Sequence, residues 1–74
     1  MEADLVEYEV EFAEACEPYR TVAAKSLKEA RRKAAHLSRR TPDVCYVVAR
    51  DDGESVGHMI YSAGRFLRQE GRGF

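Results

Sequence analysis

The chain of 74 residues has no tryptophan, two prolines and two cysteines, and no apolar run approaching the roughly 18 residues of a membrane span. Cys16 and Cys45 show no CxxC spacing and are too few for a disulfide framework, so reduced thiols are expected. The first residues are acidic where a secretory signal would be basic, which makes a cytoplasmic location the expectation. Gly53, Gly57, Gly64, Gly71 and Gly73 are scattered and form no phosphate-cradling loop. Neither thiol lies in a glycine-rich elbow, so a nucleophile paired with His36 or His58 has no local support. No Cys or His stands three or four positions from another, so a metal half-site is missing as well. Neither an enzyme nor a cofactor or metal site is expected.

What is present is a folding composition, 45% hydrophobic with 34% charged residues, of a length that suits one small domain. The formal charge of −1 conceals a segregation. Residues 1–17 hold seven acids and no base, whereas 18–40 hold eight bases and one acid. Two surfaces of opposite field follow if these segments end on different faces.

Leu5–Phe12 alternates strictly, with Val6, Tyr8, Val10 and Phe12 on one side and Glu7, Glu9 and Glu11 on the other, as a half-buried antiparallel strand does. Residues 13–18 connect it to a short second strand over Tyr19–Ala24. Ser26–Arg40 then reads as the one long helix, opened by a capping box in which Ser26 accepts from the N–H of Glu29 and the Glu29 carboxylate reaches back to Ser26. Leu27, Ala30, Ala34 and Leu37 share one side of it, and Thr41-Pro42 stops it. Val44–Ala49 is apolar and β-branched, a central strand under the helix. Asp52-Gly53 marks a hairpin into Ser55–Tyr61, Ser62–Arg65 a second turn, and Phe66-Leu67 a short edge strand. Residues 69–74 read as a mobile tail. The expected fold class is α+β: one α-helix packed on an antiparallel sheet of four to five strands, in the order β-β-α-β-β with the short strand last.

Two surfaces invite a functional reading. Glu7, Glu9 and Glu11 repeat at roughly 6.6–6.8 Å along one strand face, close to the spacing of phosphates, which admits DNA mimicry beside the plain solvated face. The helix is more informative. Lys28, Arg32 and His36 form an i, i+4, i+8 row with no acid in it, Arg39 lies on the same side, and Arg31 sits on the flank. A helix serving solubility alone more often mixes signs, so Lys28, Arg31, Arg32, His36 and Arg39 are the candidate partner-binding residues. Lys33, on the other flank, is placed to pair with Glu29. Tyr19, Tyr46, Tyr61 and Phe66 offer aromatic platforms for a second reading, nucleic-acid binding, which the acidic first strand disfavours.

The run Ala24–Ala35, AKSLKEARRKAA, set between strands and followed by an Asp-Gly turn and a Tyr-x-x-Gly close, resembles the small phage-encoded anti-CRISPR proteins directed at type I-F Cascade. The resemblance implies a non-enzymatic inhibitor in the cytoplasm of a bacterial host, docking on the guide-RNA backbone subunits of the surveillance complex and blocking target-DNA binding. It further implies that Arg31, Arg32 and His36 make the contacts. Arg31 and Arg32 fit the family's pattern of basic residues at these positions; His36 departs from it, as does the acidic first strand.

Overall fold

The computed structural model describes residues 6–12, 20–41 and 43–74. The expected strand start at Leu5, the connection 13–18 with Cys16, the start of the second strand at Tyr19 and the helix stop at Pro42 lie outside the described residues. The elements are β1 (Val6–Phe12), β2 (Arg20–Ala24), α1 (Leu27–Ser38), β3 (Cys45–Asp51), β4 (Glu54–Ser62) and β5 (Arg65–Gly71). They build one antiparallel sheet in the order β2-β1-β3-β4-β5 with a single helix packed on it, the expected α+β architecture.

The alternation of β1 decides the faces. Tyr8 and Val10 register with Ala49 and Val47 of β3, and Val47 with Met59 of β4. Val10, Cys45, Val47, Met59 and Tyr61 thereby share one face, and Ala30 and Ala34 of the helix bury completely against them. Two alanines let the helix backbone sit close, so the bulk of the core comes from the strands. Leu27 and Leu37, at the ends of the same stripe, remain half-buried.

The β3–β4 hairpin and the second one, β4–β5, each turn on two residues with positive φ, Asp52 (56°) with Gly53 (85°) and Ala63 (52°) with Gly64 (84°). This is the type I′ geometry, whose twist matches that of the flanking strands. Alanine carries a steric cost in that region, of about 1–2 kcal/mol, which something else must offset. Ser38, buried in the last turn of the helix, does so. Its Oγ accepts from the N–H of Gly64 at 2.7 Å and donates to the carbonyl of Ala35 at 3.0 Å. Ser38→Ala should leave the Gly64 N–H without its partner and lower stability by about 1–2 kcal/mol, several degrees in a thermal melt. An unchanged melting temperature would mean that the turn holds itself.

The helix runs shorter than expected. Its end is drawn in by the N–H groups of Arg39 and Arg40, which bond back three residues to His36 and Leu37 at 3.3 and 2.9 Å. At its start Ser26 Oγ accepts from Glu29 N–H at 3.1 Å, as the capping box requires. The carboxylate of Glu29, however, takes the N–H of Lys25 at 2.7 Å in place of that of Ser26. Ser26 itself is in the extended conformation.

The last strand and the residues after it differ most from expectation. The short edge strand at Phe66-Leu67 is the start of a seven-residue strand, and residues 69–71, read as part of a mobile tail, complete it. Beyond it the chain folds back onto the helix-bearing face: Arg72 N–H bonds the Val56 carbonyl at 3.0 Å, and Tyr8 Oη donates to the Gly73 carbonyl at 2.7 Å. Phe74 stacks on Tyr8 with ring centroids 6.3 Å apart and packs against the core. An apolar terminal ring and a glycine that admits close approach to Ala49 account for the difference.

Candidate protein-interaction surface

The helix row survives folding, but its members divide. Lys28, Arg32 and His36 are exposed along the outer side of α1 and make no ion pair among the described residues. Arg31, expected among the partner contacts, turns the other way. Its Nε donates to Tyr61 Oη at 2.7 Å and its guanidinium lies 5.6 Å from the centroid of the Phe66 ring, so it fastens the helix to β4 and β5. The stem follows the sheet because Phe66 and Tyr61 meet edge to face beneath it, 5.7 Å between centroids. Arg39 likewise lies over the second hairpin, in the space a side chain on Gly64 would need.

Beside the row is a feature the strand and helix patterns did not announce. Phe12, Val22 and Leu37 floor a groove of about 470 Å³ along the seam between the helix and the β1–β2 edge of the sheet, and Arg32, Lys33 and His36 rim it. Phe12 and Leu37 stand on the core sides expected of them and are half-buried. β2 is only five residues long and mostly exposed, so it covers them incompletely. Val22, exposed on a short strand, was the available signal. Lys33 is held at the rim by Glu29 at 3.5 Å, the expected i, i+4 pair, and donates to the Ala23 carbonyl at 3.2 Å. The bond from Lys25 N–H, with the charge of Lys33 beyond it, keeps the Glu29 carboxyl below its ordinary pKa. The one acid of the helix is thus engaged.

The acidic stripe is less bare than its spacing suggested. Arg50 reaches from β3 across the open face, its Nε 2.7 Å from Glu9 and its Nη2 3.9 Å from Glu11, and the bond to Glu9 raises the pKa of the guanidinium. Glu7 alone of the three is exposed. Farther along, Glu70 binds Arg68 at 2.8 Å and His58 at 3.3 Å, and Arg68 chiefly holds its pKa low. Under this layer Val48 and Ile60 are 4% and 7% exposed, though no helix of the described residues covers them. The charged residues of the open face therefore also roof a second apolar layer.

Of the aromatic platforms, Tyr61 is buried in the core, Phe66 has one ring face turned to the Arg31 guanidinium and stays 43% exposed, and Tyr46 meets His58 edge to face at 5.6 Å. Tyr19 lies outside the described residues. Burial raises the pKa of the Cys45 thiol, a free cysteine in the core. Among the described residues no three His, Cys, Asp or Glu side chains converge as metal ligands would. No helix among them is long and apolar enough to cross a membrane.

The chain matches no protein-family model, no curated protein and no solved structure with which it was compared.

Proposed function

We propose that this protein is a non-enzymatic interaction module whose basic helix face and adjoining groove take an acidic surface of a host protein or ribonucleoprotein. The observation that carries the reading is the groove itself. An apolar floor of Phe12, Val22 and Leu37 under a rim of Arg32, Lys33 and His36 suits a side chain or short segment with an apolar anchor and acidic flanks. A bare phosphate backbone offers no such anchor, so a protein surface is favoured over free nucleic acid as the target. Arg50, set between Glu9 and Glu11, weighs against the acidic strand as a mimic of DNA. The helix resemblance gives the partner its specific form: a type I CRISPR surveillance complex, with target-DNA binding blocked.

The residues assigned to contact are Lys28, Arg32 and His36, with Lys33 at the rim. Arg31 and Arg39 are assigned to holding the helix and the second hairpin. Lys28→Glu combined with Arg32→Glu should weaken binding to purified surveillance complex by at least about tenfold and leave the melting temperature within a few degrees. Val22→Asp should weaken binding without changing the helix. Full binding by both variants would overturn the assignment. Binding of free DNA or RNA with a steep inverse salt dependence would favour the nucleic-acid reading instead.

A further inference from the structure

The sheet has two edges, and they are not alike. β2 is short and flanked by the groove, whereas β5 is seven residues long, with every residue exposed. Of the three exposed large hydrophobics among the described residues, two are adjacent on β5: Phe66 at 43% and Leu67 at 54%. The ladder to β4 shows which backbone groups of β5 are unused among the described residues. Arg72 N–H bonds the carbonyl of Val56 while Gly71 registers with Gly57, so the backbone groups of Gly71 point away from β4. Alternation along an antiparallel strand then turns those of Gln69 outward too, with Arg68 and Glu70 facing inward to the ladder.

We propose that β5 is a self-complementary edge that pairs antiparallel with β5 of a second copy of this chain, centred on Gln69. Outward groups can bond only outward groups, which restricts the pairing to alternate registers. Charge selects among them. With Gln69 opposite the partner's Gln69, Arg68 stands opposite the partner's Glu70 and Glu70 opposite the partner's Arg68, all four on the open face. A shift in one direction sets Arg68 against the partner's Arg68, and in the other Glu70 against the partner's Glu70. In the centred register Leu67 falls opposite the partner's Gly71, which has no side chain to obstruct it. The axis relating the copies is perpendicular to the sheet, as an isologous contact between identical antiparallel strands demands. Both helices then lie on the same side of one continuous ten-stranded sheet, and the dimer presents two basic grooves to a partner. The pairing stands whether or not the groove binds what is proposed for it.

Sedimentation velocity of the full chain, from micromolar to the highest soluble concentration, reads the association directly. The wild-type chain should shift reversibly from monomer to dimer. Arg68→Glu and Glu70→Arg should each weaken dimerisation by about tenfold or more, since each replaces two opposite-charge pairs by two like-charge pairs. An equimolar mixture of the two variants should recover a dimer, because Arg68→Glu in one protomer meets Glu70→Arg in the other with complementary signs. The doubly exchanged chain should dimerise as the wild type does. Circular dichroism melts establish that each variant is folded, which these exposed positions favour. A wild-type chain that stays monomeric throughout would overturn the proposal and leave the charges and the bulge at Leu67 as protection of a free edge. Dimerisation unaffected by either reversal, or no recovery in the mixture, would overturn it equally.

Discussion

Gly57→Ala is expected to lower stability by about 2 kcal/mol, a fall of roughly 10 °C in melting temperature, although its φ lies outside the left-handed region and alanine fits the backbone there. The cost is one of space. A Cβ at this position would stand 2.3 Å from the carbonyl oxygen of Arg72, 2.7 Å from its nitrogen and 3.0 Å from the carbonyl oxygen of Glu70. All three are backbone atoms, so no rotamer change relieves the contact. The chain beyond β5 must lift instead. Lifting it removes the bond from Arg72 N–H to Val56, the bond from Tyr8 to Gly73 and the stacking of Phe74 on Tyr8. A chain ending at Gly71 separates this cause from any other. That chain is less stable to begin with, but Gly57→Ala should cost it much less, because the two shortest contacts, both to Arg72, are gone. Denaturant melts of the four proteins form a double-mutant cycle, and a coupling of at least about 1 kcal/mol is expected. Equal cost of Gly57→Ala in both backgrounds would place the clash elsewhere.

That return of the chain also shows where reading from sequence stops. β1 was legible because strict alternation over seven residues has one explanation, and the helix because Ser26, Glu29 and the Leu27, Ala30, Ala34, Leu37 stripe agree on phase. The Asp52-Gly53 turn named its own geometry, and positive φ at both positions fulfils it. The C-terminal residues carried only local signals, two glycines and a short polar run, which read as mobility. Their anchor is Tyr8, 65 positions from Gly73, and no local pattern reports so distant a partner. Ser38 is a similar case. A serine late in a helix reads as solvated until a turn 26 residues later delivers the Gly64 N–H to it.

The candidate site was legible in charge and not in direction. Arg31 and Arg32 are neighbours on a helix, separated by about 100°, and the sequence offers both as contacts. Which of them meets the sheet depends on where β5 runs. Because β5 pairs Phe66 with Tyr61 of β4, the Phe66 ring comes to lie beside Arg31, and Arg32 is left for solvent. The groove was hidden for a related reason: its existence depends on how far β2 falls short of covering Phe12 and Leu37.

The same junction of helix, β4 and β5 carries the other large expected effect. Tyr61→Ala should cost about 3–5 kcal/mol, a large share of the stability of so small a domain. Tyr61 is 4% exposed, packs in the core cluster with Met59 and Cys45, meets Phe66 edge to face and accepts from Arg31 at 2.7 Å. Truncation therefore opens a cavity and releases two neighbours at once. Tyr61→Phe divides that sum, because it keeps the ring and removes only the acceptor. Its cost should be about 0.5–1.5 kcal/mol, close to that of a single hydrogen bond at a partly exposed site. Once the hydroxyl is gone, Arg31→Ala should cost less than it does in the wild-type chain, since the cation loses one of its two holds and keeps only the Phe66 ring. Binding to an acidic partner should be unchanged in Tyr61→Phe, because Lys28, Arg32 and His36 make no hydrogen bond or ion pair with Tyr61, Phe66 or Arg31. If Tyr61→Phe instead abolished binding while leaving the melt nearly intact, Arg31 would have to be counted among the contacts after all, with Tyr61 serving to aim it outward.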